Sequence, residues 1–520
     1  MLLSELLNSS FLNEYKELFA DIADFEIANI TADSRKVKDN YIFVAIKGNM
    51  FDGNDYINTA LNNGAKLIIT AQNIDNIISN SHNNDNNIDE IANNNIDTKK
   101  IIQIDDDRLF YSKLAAAFYQ DKPENIISVT GTNGKTSIVN FCTKLWGLTG
   151  KQTASIGTIG IIENGKNITA SNNLLTTPDP MDLHQYLANL KQDNIENVAL
   201  EASSHGLSQK RLSSLKFKAA AFTNISRDHL DYHKNFAAYF AAKMLLFQEN
   251  IAENGTAVLN ADIKEYEEIK NICLANNTKI FSYGKNGRDL KILSISPKPM
   301  GQLITFESKG NITHKILLPL IGEFQVYNIL CALGLLVACG ENIDILVGKL
   351  TSIKPVTGRM DKAALLHNNA TIYVDYAHTP DALKNALIAL KNHSSKNLHV
   401  LFGCGGDRDN GKRPLMGEIA MNYADNIIVT DDNPRSEDPA KIRQEIMASC
   451  SSSKAINVGD RREAIKQAIC MLEKNDILLI AGKGHEDYQI INNVKQPFDD
   501  KLVVQELIAS IYPNKKTIIC

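Results

Sequence analysis

Apolar and polar positions along the chain fall into three separate blocks of strand and helix patterns. In the first, "YIFVAIKG" (41–48) is the apolar run of a buried strand, and "DYINTALNNGAKLIIT" (55–70) shows helical spacing followed by a second strand run. Between Gln72 and Lys100 the pattern stops. "QNIDNIISNSHNNDNNIDEIANNNIDTKK" is rich in Asn and Asp and poor in large apolar residues, which predicts a surface insertion. From Asn125 the order becomes strand ("NIISV"), Gly-rich turn ("TGTNGKTS") and helix, with Ile138, Val139, Cys142, Leu145 and Trp146 at helical spacing. A third block begins near Thr351, with apolar strands at "TIYVD" (371–375), "LHVLF" (398–402), "NIIVT" (426–430) and "DILLIA" (476–481). Strands alternating with helices predict an α/β fold with a mostly parallel sheet, whose ligands sit at the strands' carboxyl ends.

Length agrees with this division. At 520 residues the chain exceeds one core, and about 150 residues per domain gives about three domains. The blocks predict domains over 1–106, carrying the insertion at about 72–100, then 107–350 and 351–520. With 44% hydrophobic and 22% charged residues the composition is that of a globular protein, and a net charge of -5 offers no electrostatic attraction to nucleic acid. Eight cysteines without a CxxC pair suggest reduced core thiols rather than a zinc site or disulfides. No basic stretch precedes the first apolar residues and no run of 18 apolar residues occurs, so a cytoplasmic protein without membrane insertion is expected; separately, a monomer is expected.

The candidate chemistry clusters at strand ends. In "TGTNGKTS" (130–137) two glycines allow backbone amides to approach phosphate, Lys135 brings a positive charge, and Thr136 offers Mg²⁺ a hydroxyl. The Walker pattern would place glycine at 129, where this chain has Val129, so an ordinary Gly turn is the bland alternative. "NVALEASSHGL" sets Glu201 at a strand end as a metal-binding carboxylate. Ser203, Ser204 and His205 beside it imitate a hydrolase triad, but the GxSxG elbow is missing. "FTNISRDHLDYH" (222–233) offers His229 as a metal ligand. Lys243, in the otherwise apolar "YFAAKMLLF", is either a surface lysine with a snorkelling head or a desolvated amine that CO₂ could convert to an anionic carbamate. After the strand 426–430, "TDDNPRSEDP" reads as a turn in which Ser436 or Asp438 caps a helix starting at Pro439; its charged first half exceeds what a turn needs.

These motifs, with "GEFQVYNILCA" (322–332), "PVTGRMD" (355–361) and "VDYAHTPDAL" (374–383), follow the order seen in the Mur ligases, and the resemblance covers nearly the whole chain outside the insertion. It implies an N-terminal UDP-binding domain, a central P-loop ATPase domain and a C-terminal Rossmann-like domain. For ATP it implies Gly131, Thr132, Asn133, Gly134, Lys135, Thr136, Ser137, Asn328, Arg359, Asp375 and His378, with Gln325 standing where the family usually has Asn. For UDP-N-acetylmuramoyl-L-alanyl-D-glutamate it implies Ser34, Asn49, Thr176, Thr177, Ser203, Gln209 and Arg211. For the added amino acid it implies Arg408, Asp432, Asn433, Pro434, Arg435, Gly482 and Glu486. "DNPR" is the form found in members that add meso-2,6-diaminopimelate, whose second carboxylate suits an arginine fork. Mg²⁺ is implied at Thr136, Glu201, His229 and a carbamylated Lys243; Lys135, Glu201, His229, Lys243 and Arg359 would be the catalytic groups.

The implied reaction phosphorylates the peptide carboxylate with ATP and releases phosphate when the amine attacks the acyl phosphate. His205 is a weak candidate for the base that deprotonates the amine. Shielding of that intermediate predicts closure of the C-terminal domain over the central one. Three alternatives remain: the same ligase adding L-lysine, folylpolyglutamate synthetase, which shares the ATPase core, and a non-catalytic nucleotide-binding regulator.

Overall fold

The computed structural model describes residues 1–48, 51–75, 97–169, 175–298, 301–394, 396–451, 453–513 and 517–519. Asn49 and most of the Asn-rich stretch, residues 76–96, lie outside them. The described chain forms three main α/β sheets, one per block of the sequence pattern, plus a two-stranded ribbon, Tyr488–Ile491 with Val494–Pro497.

The first sheet is fully parallel, in the order Asn29–Thr31, Tyr41–Ala45, Ala65–Thr70, Ile101–Gln103. Its strands are buried runs, as the lack of alternation in "YIFVA" requires of a sheet covered on both faces. Helix Asp107–Phe118 leads out of it, capped by Asp106, whose carboxylate accepts from Leu109 N.

The central sheet has eleven strands built around Asn125–Thr130, which lies parallel between Phe217–Phe222 and Asn197–Glu201. Antiparallel hairpins extend both edges, through Gly301–Ser308 and Ile312–Leu318 on one side and Gly160–Glu163 and Lys166–Asn167 on the other. Helices Lys135–Leu148 and Glu323–Ala338 cover one face, burying Phe141, Trp146, Ile329 and Leu333 completely.

In the third sheet the four expected strands are present and contiguous, in the order Asn426–Val429, Leu398–Phe402, Ile477–Ala481, Thr371–Asp375, all parallel. Helices on both faces leave Leu479 and Leu401 fully buried, so truncating either to alanine would cost about 2–5 kcal/mol. Parallel pairing puts all four carboxyl ends on one edge, and the loops that follow them gather there. Asp438, not Ser436, caps helix Pro439–Met447, accepting from Ala440 N, with Pro439 at the first helical position. Ser436 instead donates to Asp407.

The seven described cysteines are free thiols. Among the described residues no helix is long and apolar enough to cross a membrane.

Candidate active site

Strand Asn125–Thr130 ends in a loop that only glycine can form. Gly131 and Gly134 have φ of +144° and +91°, and a Cβ on Gly134 would lie 2.6 Å from Asn328 Oδ1. Thr223 and Asn224, at the end of the neighbouring strand, brace the loop: Asn133 N donates to Asn224 Oδ1 and Thr223 Oγ1 to Asn133 O. Lys135 folds back and donates to the carbonyls of Gly131 and Thr132, both at 2.9 Å. Burial lowers its pKa, while Glu201 and Asp228 hold its charge in place.

Thr136 Oγ1 donates to Glu201 Oε2 at 3.0 Å, and Thr158 donates to the same carboxylate through both its amide and its hydroxyl. Gly157 makes room for that carboxylate, since a Cβ there would sit 2.2 Å from Glu201 Oε1. Asp228 and His229 complete the rim, with His229 Nε2 3.4 Å from Asp228 Oδ2. Burial holds the His229 imidazole neutral, at about 3, against the pull of Asp228. His205 lies tilted against Tyr232 and edge-on to His229; burial first, then His233, lowers it to about 4.

Lys243 is 1% exposed, which excludes a snorkelling surface lysine. Its amine donates to Gly131 O at 2.8 Å, next to the cleft, and burial moves its pKa well below the usual lysine value. Among the described residues no three His, Cys, Asp or Glu side chains gather into a ready metal cage. A hydroxyl and a carboxylate at Thr136 and Glu201 do suit Mg²⁺, which typically takes one or two protein carboxylates, water and substrate phosphate oxygens.

The third sheet closes the other wall. Arg359 reaches across, donating from Nη2 to Thr136 Oγ1 at 3.2 Å with its guanidinium 4.2 Å above the Tyr376 ring. Asp375 takes both its bonds from backbone, Met360 N and Ala377 N, so it holds the Arg359 turn against the strand end. Asn133 donates to Asp381, and Arg227 forms a two-point ion pair with Asp409, further ties between the two sheets' loops. Together these groups enclose a cavity of 220 Å³ that includes Thr132 through Ser137, Asn328 and His378. Gln325 is buried and accepts from Asn328 Nδ2, outside that cavity. Thr158, Asp228, Tyr376 and Asp381 line it without having been assigned from sequence.

Of the residues implied for the muramoyl-peptide, four line two cavities. Thr176 and Ser203 line the first, and Thr177 Oγ1 is 3.0 Å from Ser203 Oγ. The carbonyl of Thr177 accepts from Arg211, which with Gln209 lines a second cavity of 360 Å³ between the first and central sheets. Ser34 starts the short turn Ser34–Lys36 and lies outside both cavities.

At the strand ends of the third sheet, Asp432 and Asn433 are 8% and 4% exposed and so are no solvated turn. Asn433 donates to Glu486 Oε2 at 2.8 Å, while Lys483, fully buried, donates to both of them. Lys483 stands in "AGKGHEDYQI" but carried no assigned role. Burial, then Asp432, raises the pKa of Glu486, and Lys483 opposes that rise. Gly482 fits because a Cβ would meet Asp432 Oδ2 at 2.4 Å. Pro434 brings its carbonyl against Gly406, and Arg435 follows with a left-handed φ of +53°, its amide donating to Ile490 O and its Nη1 to Gly406 O. Arg408 is exposed beside Arg435, and their like charges oppose each other.

Comparison with known proteins identifies the family. Three family models match in tandem: "Mur ligase family, catalytic domain" at residues 26–119, "Mur ligase middle domain" at 129–336 and "Mur ligase, glutamate ligase domain" at 358–484. The UDP-N-acetylmuramoyl-L-alanyl-D-glutamate–2,6-diaminopimelate ligase of Rickettsia prowazekii is 44% identical, covering 93% of this chain and 96% of its own. That of Caulobacter vibrioides is 40% identical over 91% and 94%. A solved ligase of the same name superposes with a TM-score of 0.65 at 32% identity, covering 96% of this chain and 99% of the other. Folylpolyglutamate synthase from Mycobacterium tuberculosis, at 18% identity and a TM-score of 0.60 over 72% of this chain, shares the fold alone. With a diaminopimelate ligase 44% identical across nine-tenths of both chains and family models spanning all three sheets, the chain belongs to the Mur ligase family.

Proposed function

We propose that the chain is an ATP-dependent ligase that joins meso-2,6-diaminopimelate to UDP-N-acetylmuramoyl-L-alanyl-D-glutamate, a step of peptidoglycan precursor synthesis. The observation that carries this reading is the single cleft in which the phosphate loop of one sheet meets Arg359 and the loops of another. An amide bond forged from a carboxylate needs both: a place to phosphorylate the acid and a place to present the amine.

Loop amides 131–137 and Lys135 receive the triphosphate. Lys135 and Arg359 neutralise charge on the γ-phosphoryl group as the glutamyl carboxylate oxygen attacks phosphorus and ADP leaves. The diaminopimelate nitrogen then attacks the acyl carbon, and phosphate departs with the carboxylate oxygen. Bound Mg²⁺, held by Thr136 and Glu201 with His229 at the rim, would supply Lewis-acid stabilisation of the phosphoryl oxygens. Burial lowers the Lys243 pKa and so favours the neutral amine that carbamate formation requires; adding CO₂ and losing a proton would turn that neutral amine into an anion beside Lys135. Asp375 and Tyr376 orient Arg359 and so act as positioning residues.

Asp432 and Glu486 face the ammonium group of the diaminopimelate centre remote from the new bond, and Arg435 with Arg408 faces its carboxylate. L-lysine lacks that carboxylate and would leave the guanidinium groups unpaired. The test is phosphate release by the full chain, with the product identified by mass spectrometry. Release that requires ATP, UDP-N-acetylmuramoyl-L-alanyl-D-glutamate and diaminopimelate together is expected. Equal turnover with lysine would overturn the amino-acid assignment, and release with neither amino acid would overturn the ligase reading.

A further inference from the structure

The 360 Å³ cavity between the first and central sheets contains a second arginine that sequence reasoning left unassigned. Arg108 is the second residue of helix Asp107–Phe118 and lines the cavity with Arg211, Gln209 and Tyr111. Its Nη2 donates to the carbonyl of Lys47 at 2.6 Å, fixing the start of the loop after strand Tyr41–Ala45. That bond uses one N–H and leaves the rest of the guanidinium for another acceptor.

Charge balance shows what is missing. Arg227, Arg413 and Arg461 each have a carboxylate within 3 Å, whereas neither Arg108 nor Arg211 forms an ion pair among the described residues. The two are close enough for their like charges to oppose each other. One carboxyl, Asp179, also lines the cavity; its Oδ1 accepts from the Tyr111 hydroxyl at 2.8 Å and from Met181 N at 3.1 Å, and its charge attracts Arg211. With Arg211 drawn to Asp179, Arg108 faces the cavity as a half-buried cation without an ion-paired carboxylate among the described residues, a site for an anion supplied from outside.

Resting on the functional reading above, we propose that Arg108 binds the diphosphate bridge of the UDP-linked substrate. The location supports this choice over the peptide carboxylate. Arg211 is bonded to Thr177 and so belongs to the peptide end, whereas Arg108 is bonded to the first sheet's loop, on the nucleotide side of the same cavity. A planar fork matches phosphate oxygens in two-point contact, which a lysine at 108 would not reproduce.

The test titrates the full chain with uridine and with UDP, and measures KM for UDP-N-acetylmuramoyl-L-alanyl-D-glutamate, in wild type, Arg108→Ala and Arg108→Lys. Expected for Arg108→Ala are UDP binding and substrate KM weakened roughly 10- to 100-fold, as for a lost charged hydrogen-bond pair, with uridine affinity and ATP KM unchanged. Arg108→Lys should recover only part of the loss. Equal loss of uridine and UDP would mean that Arg108 merely shapes the loop and would overturn the proposal. UDP affinity unchanged with a raised substrate KM would assign Arg108 to the peptide carboxylate and likewise overturn it. A wild-type chain that binds neither UDP nor the full substrate would remove the functional reading itself.

Discussion

Arg461 and Asp500 form a fully buried pair, both 0% exposed, joined by two bonds of 2.8 Å. The same guanidinium donates to the carbonyls of Asp431, at 3.4 Å, and Ala481, at 3.1 Å, the residues that open the Asp432–Arg435 and Gly482–Glu486 loops. One group therefore holds both halves of the amino-acid cluster. Asp500→Ala would leave a buried guanidinium without its counter-charge, a loss of about 3–5 kcal/mol against a typical domain stability of about 5–15. Replacing both, Arg461→Met with Asp500→Leu, removes the buried charges together and should hold stability within about 2 kcal/mol of wild type. Of the two loop carbonyls, that of Asp431 keeps Gln489 Nε2 as a donor at 3.4 Å, while that of Ala481 loses its side-chain donor, at about 1–3 kcal/mol, within what removing the buried charges can offset. The double variant should therefore melt near the wild-type temperature by calorimetry yet show a diaminopimelate KM raised about tenfold, with the KM for ATP unchanged. If stability and both KM values are restored together, the pair is packing only and has no part in placing the amino-acid site.

Arg435→Ala should raise the diaminopimelate KM about 100-fold with little change in that for ATP, and Arg435→Lys should recover little of it; steady-state kinetics with each substrate varied would check both. Gly157→Ala would push a Cβ to within 2.2 Å of Glu201 Oε1, so kcat should fall at least tenfold while the diaminopimelate KM holds; an unchanged kcat would show that the Glu201 carboxylate need not sit where it does. His184, His378 and His485 are lowered from 6.5 to about 3, 4 and 3, each chiefly by burial, so between pH 6.5 and about 4 the unfolded chain binds protons that the folded chain does not. Their contribution is complete above pH 6.5 and is lost as pH falls, at about 1.4 kcal/mol per pH unit for each imidazole; denaturant midpoints that stay flat from pH 6.5 to 5 would contradict it.

Where a site is built from backbone geometry at the end of a buried strand, its residues could be read from the sequence. The phosphate loop and the Asp432–Arg435 turn both follow apolar runs that can only be strands, and within each of their two sheets parallel pairing then gathers the neighbouring strands' carboxyl ends on one edge. Side chains that act through burial rather than sequence position were harder to read. Whether Lys243 is a surface lysine or a desolvated amine depends on what covers the helix Phe236–Glu249, and its amine meets the Gly131 carbonyl, more than a hundred residues away in sequence, beside Tyr239 of its own helix. Ser436 and Asp438 are equally good caps by residue type, and the choice between them was made by Asp407, thirty residues earlier, which takes the Ser436 hydroxyl.

Arg108 was illegible for a third reason. On its own helix it is one more polar residue in a first turn beside Asp106 and Asp107, and a solvated arginine there needs no explanation. What distinguishes it appears only in three dimensions: it faces a cavity shared with Arg211, whose charge Asp179 attracts, and has no ion-paired carboxylate of its own among the described residues. The residues that sequence patterns reveal are those whose backbone must be special, such as Gly131, Gly134 and Gly482. The residues it conceals are those of ordinary backbone whose charge is left unbalanced by the fold, and an unbalanced charge facing an interdomain cavity indicates the substrate that completes it.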